Sequence, residues 1–137
     1  TRFTNPAKFS DNVKAKFGDG EDLQIYHNAS NSFISDTGTG LLVISTNHLQ
    51  VYNAAITEYM ITAVENGAVN LYYDSAKKLE STATGTLVTG QMDITALNTA
   101  PASAGAAGVL GEIRYTADYI YVCTATNTWK RTALSTW

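Results

Sequence analysis

The sequence predicts an all-β fold: an elongated homotrimeric fibre of short strands, β-prism or β-helix-like, followed by a small C-terminal antiparallel β-module. Three observations carry that expectation. Short apolar runs alternate with turn signals every few residues, a strand pattern recurs, and the surface is polar yet weakly charged. The charged fraction is 15%, against about 25% in ordinary globular chains, and Thr, Ser, Asn, Gly and Ala fill the difference.

The recurring strand is apolar, amide, apolar, Tyr: "LQIYHN" from Leu23, "LQVYNA" from Leu49 and "VNLYYD" from Val69. In extended backbone, Val69, Leu71 and Tyr73 point one way, and Asn70, Tyr72 and Asp74 the other. A second echo links "TGTGLLVIS" (37–45) with "TATGTLVTG" (82–90), each read as a Thr/Gly turn feeding an apolar strand. Turn clusters "FGDGED", "HNASNS", "DTGTG", "ENG" and "ATG" leave room only for short strands between them. Asn66-Gly67 is the sharpest hairpin signal, because both residue types tolerate positive φ. The run 54–65 also fits a short helix; its Ile and Val content and the hairpin that follows favour a strand.

Composition changes after Ile94. The segment 95–111 is Ala/Gly-rich and reads as a linker, whereas 112–137 alternates strongly and reads as a three-stranded aromatic meander turning at Ala117-Asp118 and Asn127-Thr128. The expected organisation is therefore a connecting segment 1–16, a repetitive β fibre 17–94, the linker 95–111 and the C-terminal module 112–137.

Assembly follows from area. An isolated short-strand repeat is marginal in water, and each repeat offers one apolar face without a partner. Three chains wrapped about one axis would cover those faces, with Leu23, Ile25, Leu49, Val51, Val69 and Leu71 as packing residues between two further identical chains.

A net charge of -3 removes the clustered cations that nucleic-acid binding requires. The longest aliphatic run, "LLVI" (41–44), is far too short to insert in a membrane. The single cysteine, Cys123, excludes an internal disulfide and reads as a small buried hydrophobe. The opening "TRFTNPAKFS" reads as the start of an excised piece of a longer chain. No metal or other cofactor is expected: His27 and His48 read as polar strand-end residues, and "GDGED" (18–22) lacks the ligand spacing of a calcium loop. Glu58, Glu65, Asp74, Glu80, Asp93, Glu112 and Asp118 could supply a glycosidase pair, as could the acids of any chain with 12 of them. With no nucleophile elbow, phosphate loop or zinc-protease motif, the expectation is that the chain is not an enzyme. Recognition falls to the aromatic module, with Tyr115, Tyr119, Tyr121, Trp129 and Trp137 as candidate receptor contacts, or alternatively as its packing.

From "NVKAKFGDGEDLQIYHNASNSFISDTGTGLLVIS" through "ENGAVNLYYDSAKKLESTATGTLVTG" to "GEIRYTADYIYVCTATNTWKRTALSTW", the chain resembles distal tail-fibre and appendage proteins of tailed bacteriophages, notably of marine phages. The resemblance implies a homotrimeric virion tail fibre that attaches to the host through bacterial surface polysaccharide or an outer-membrane protein. It implies other phage tail proteins as partners and carries no active-site residues. Two rivals stand beside it, a purely structural shaft or trimerisation segment and a fragment of a tailspike polysaccharide depolymerase.

Overall fold

A computed structural model describes residues 6–137; residues 1–5 of the expected connecting segment lie outside the described residues. The fold is all-β, with no helix among the described residues. Among the described residues eleven strands form three antiparallel sheets: β1 (Ala15–Phe17), β2 (Leu23–His27) and β3 (Ser32–Asp36); β4 (His48–Tyr52), β5 (Tyr59–Val64), β6 (Val69–Tyr73), β7 (Ala76–Thr82) and β8 (Gly85–Val88); and β9 (Ile113–Tyr115), β10 (Tyr119–Ala125) and β11 (Thr128–Ala133). The three repeats are strands β2, β4 and β6. In every sheet strand order follows chain order. That is a meander, where a β-helix would stack parallel rungs.

Local sequence explains the reversals. Between β6 and β7 the closest pair is Tyr73 and Ala76, leaving a two-residue turn in which Asp74 (φ 49°) and Ser75 (φ 60°) are both left-handed. Two successive positive φ values match the right-handed twist of the flanking strands. Asn66 (φ 56°) and Asn127 (φ 55°) supply the same backbone in the β5–β6 and β10–β11 turns. The run 54–65 resolves into a turn followed by β5: the Asn53 side-chain carbonyl accepts from the Thr57 amide at 2.9 Å, and this local bond competes successfully with helix formation. Because a β-branched residue in the left-handed region is strained, Ser75→Val is expected to lower unfolding stability by about 1–2 kcal/mol, and Ser75→Gly to raise it. Urea midpoints of the two variants check this.

Two compact units divide the chain, one built from residues up to Leu49 with Val64–Asn66, the other from Gln50–Ala63 and Gly67–Trp137. In the first unit, β2 divides its side chains. Tyr26 stacks on Phe33 at 4.7 Å, with the Lys14 ammonium 4.5 Å from the Tyr26 ring centre and donating to Gln24. On the opposite face Ile25 sits between Ala15 and Ile34, and Leu23 beside Phe17; Ile25, Ile34 and Phe17 remain exposed. Residues 41–45, expected as a strand, are not paired, and all four apolar residues of "LLVI" are exposed.

The second unit repeats the division. Cross-strand register puts Ile61, Leu71, Leu79 and Val88 in one row across β5–β8, each between 37% and 41% exposed. The other face buries Thr62 and Asn70: the Asn70 amide donates to Thr62 Oγ1 at 3.0 Å, while its own Oδ1 is enclosed without a partner. Tyr52, Tyr59 and Tyr72 form an aromatic ladder, with ring centres 4.7 and 5.7 Å apart. Val69, like Leu71, is exposed, while Leu49, Val51 and Leu23 are half-buried.

The accessible surface is 11173 Å², whereas a folded monomer of 14.7 kDa exposes about 6,900 Å². The only apolar residues buried among those described are Tyr121, Cys123 and Trp129, all in the third sheet.

Candidate functional site

The third sheet owes its core to alternation. Register places Tyr121 opposite both Arg114 and Arg131, Cys123 opposite Trp129, and Tyr119 opposite Ala133, so one face carries Tyr119, Tyr121, Cys123, Trp129, Arg114 and Arg131. The other carries Ile113, Tyr115, Ile120, Val122, Lys130 and Thr132. Cys123 is fully buried, as a small hydrophobe at the centre of such a face must be.

β9 and β11 are edge strands, and the Ala/Gly-rich segment before them hydrogen-bonds to both. Along β9, the Asn98 amide donates to the Tyr115 carbonyl at 2.9 Å and Asn98 Oδ1 accepts from the Tyr115 amide at 3.0 Å. The Tyr115 hydroxyl lies 2.5 Å from the Ile94 carbonyl and 2.7 Å from that of Ala96. Along β11, the Trp129 amide donates to the Ala104 carbonyl at 2.8 Å, and its indole N–H to that of Ala106 at 3.1 Å. Small residues are required here. A Cβ on Gly108 would stand 2.5 Å from the Trp129 ring, closer than any side chain can sit.

Over the aromatic face, the Arg114 guanidinium lies 4.9 Å from the Trp129 ring centre and Arg131 lies 4.3 Å from that of Tyr119. Arg114 is held by Glu112, Nη2 to Oε1 at 2.6 Å, and that hydrogen bond keeps the Glu112 carboxyl below its ordinary value despite some desolvation. A carboxyl lowered on folding adds stability that is complete above the ordinary carboxylate range and disappears as pH falls through the lowered value. Glu112→Gln is therefore expected to flatten the acid limb of stability against pH; urea midpoints from pH 2 to 7 measure it.

Between residues 101–104 and the sheet lies a cavity of about 340 Å³, lined by Pro101, Ala102, Ser103, Ala104, Tyr121, Trp129, Lys130 and Arg131. The structure thus gathers three candidate contacts, Tyr119, Tyr121 and Trp129, on one face. Tyr115 faces the other way, and Trp137 is wholly exposed beyond β11. Sequence reasoning missed Arg114 and Arg131. Its available signal was period two, since Arg131 follows Trp129 by two residues on one strand. Of the candidate acids, Glu65 is bonded by Asn47, Glu80 by Lys77 and Glu112 by Arg114. Among the described residues no three His, Cys, Asp or Glu side chains converge to hold a metal ion.

No protein-family profile and no solved structure matches the chain. Two phage proteins do in part. Over 71 residues, 52% of this chain, it is 39% identical to a protein of Klebsiella phage K5-2 named "Depolymerase 1, capsule K30/K69-specific". Over 37 residues, 27% of the chain, it is 43% identical to "Depolymerase, capsule K30/K69-specific" of Klebsiella phage K64-1. These stretches amount to 8% and 5% of the two relatives. The finding corrects two expectations. A marine-phage type has no support in these relatives, and the expectation of a chain that is not an enzyme is overturned, since both relatives are named as depolymerases. What links this chain to phages is partial similarity to capsule depolymerases of Klebsiella phages.

Proposed function

We propose that the chain is a segment of a virion-borne phage protein of the capsule-depolymerase type, and that it helps the particle engage bacterial capsule polysaccharide. The observation that carries this reading is the 39% identity over 71 residues to a protein named for capsule specificity. The third sheet gives it a physical basis, because flat rings with cations above them suit sugar faces and their polar substituents. In this reading three identical chains associate through their uncovered aliphatic faces, within the tail of the phage particle and beside its other tail proteins.

Adsorption tests it. Labelled chain is expected to bind encapsulated Klebsiella cells and to lose binding once the capsule is stripped; equal binding to both, or to neither, overturns the reading.

A second reading is favoured by the row Ile61, Leu71, Leu79 and Val88: a segment whose task is to hold three chains together while recognition and chemistry reside elsewhere in the parent protein. A trimer that ignores encapsulated cells selects it.

A further inference from the structure

The cavity beside Trp129 is built unlike the rest of the surface. Its walls are the backbone and small side chains of residues 101–104 on one side, and Tyr121, Trp129, Lys130 and Arg131 on the other. Of the lining residues on the Tyr121 face Arg131 is cationic, Lys130 borders the cavity from the opposite-facing position of its strand, and none of the lining residues is acidic. No carboxylate pairs with Lys130 or Arg131 among the described residues; the ion pairs present are Lys16–Glu21, Lys77–Glu80 and Arg114–Glu112. Arg131 shares its face with Tyr121 and is held over the Tyr119 ring at 4.3 Å, which fixes the guanidinium plane and leaves its N–H groups to a ligand.

Tyr121 is the second, independent observation. The residue is 8% exposed, yet its hydroxyl has no hydrogen-bond partner among the described residues and is not among the enclosed polar atoms that lack one. Buried tyrosines nearly always satisfy their hydroxyl. Here the ring packs in the core and the polar end is left to the cavity that it lines.

We infer that this cavity binds a carboxylate-bearing pyranose, a uronic-acid unit of an acidic polysaccharide. The planar guanidinium of Arg131 matches a carboxylate two N–H groups at a time, and the Tyr121 hydroxyl donates to the same anion or to the adjacent ring oxygen. Pro101, Ala102 and the Trp129 edge supply apolar surface for the sugar's C–H face. A volume of about 340 Å³ admits one sugar unit with part of the next, at the low end of small-ligand sites. Lys130 adds long-range attraction, which salt screens. This inference deepens the capsule-binding reading and rests on it for its biological setting, although the site's chemistry stands on the cavity alone.

The test is a titration of the intact chain with methyl β-D-glucuronoside, with methyl β-D-glucoside and inorganic phosphate as controls, followed by amide NMR shifts. The glucuronoside is expected to bind with Kd on the order of 1 mM, as its size allows, with shifts confined to residues 101–104, 121 and 129–131. The glucoside and phosphate should each bind at least tenfold more weakly. Arg131→Gln is expected to weaken binding at least tenfold. Arg131→Lys, which keeps the charge without the fork, should fall in between, and Tyr121→Phe should lose several-fold. Unchanged shifts elsewhere identify each variant as folded. Equal binding of the neutral sugar, equal binding of phosphate, or an unaffected Arg131→Gln overturns the inference. Adsorption to encapsulated cells separates the two levels: a chain that adsorbs but ignores glucuronoside removes this site and keeps the capsule reading. A chain that binds glucuronoside but not encapsulated cells does the reverse.

Discussion

Replacing Trp129 with alanine is expected to unfold the C-terminal sheet. Truncating a buried tryptophan costs about 3–5 kcal/mol through lost burial and the cavity left behind. A folding unit of about 40 residues has only roughly 2–6 kcal/mol in total. Here the loss spreads, because Trp129 is the point where three parts meet: its indole donates to Ala106, Arg114 lies over its ring, and Gly108 sits against it. Trp129→Phe keeps an aromatic body and loses the N–H···O bond, so a smaller cost of about 1–2 kcal/mol is expected. Gly108→Ala attacks the same contact from the other side and should cost about 1–3 kcal/mol by overpacking. Urea unfolding followed by near-ultraviolet circular dichroism ranks the three. Hydrogen exchange of the β10 amides should quicken most in Trp129→Ala, and protection of those amides at the wild-type level would contradict this account of the core.

How much of this was legible in the sequence depends on whether the signal was local. Strands β2, β4 and β6 and the β9–β11 meander follow from alternation and turn residues within a few positions of each other. Asn66 marked its hairpin correctly, yet the two-residue turn Asp74-Ser75 has no glycine to announce it; aspartate and serine reach positive φ there because the strands on either side already pair. "LLVI" had the composition of a strand, and strand formation needs a neighbouring edge that composition cannot report. The alternation in "VNLYYD" separated two faces without saying which is covered. In the fold, the Asn70 amide N–H and the Tyr72 hydroxyl are bonded to Thr62 within the sheet while Val69 and Leu71 stay open. The cavity was not legible at all: Ser103 and Arg131 are far apart in the chain, and the bond from Trp129 to Ala104 that brings them together needs the finished sheet.

A single charge in the aliphatic row should separate the chains without unfolding any of them. Leu79 lies between Leu71 and Val88 and is 37% exposed in the single chain, so Leu79→Asp leaves each sheet largely as it is. Between chains the position is different. Burying the leucine contributes about 1.5–3 kcal/mol per copy, and an unpaired carboxylate in its place costs several more. In the proposed trimer that cost would recur at every copy, so association should weaken by well over a thousandfold, each 1.4 kcal/mol being a factor of about ten. Wild-type chain is expected to sediment at three times 14.7 kDa and Leu79→Asp at the monomer mass, with the same far-ultraviolet spectrum. Glu80 is the control, since it faces the opposite side beside Asn70 and pairs with Lys77; Glu80→Gln should remain trimeric. A wild-type chain that is monomeric at micromolar concentration would leave the exposed row without the neighbours assigned to it. A Leu79→Asp chain that still sediments as a trimer would place the contact on the Thr62–Asn70 face instead, where the enclosed Asn70 Oδ1 still lacks a donor.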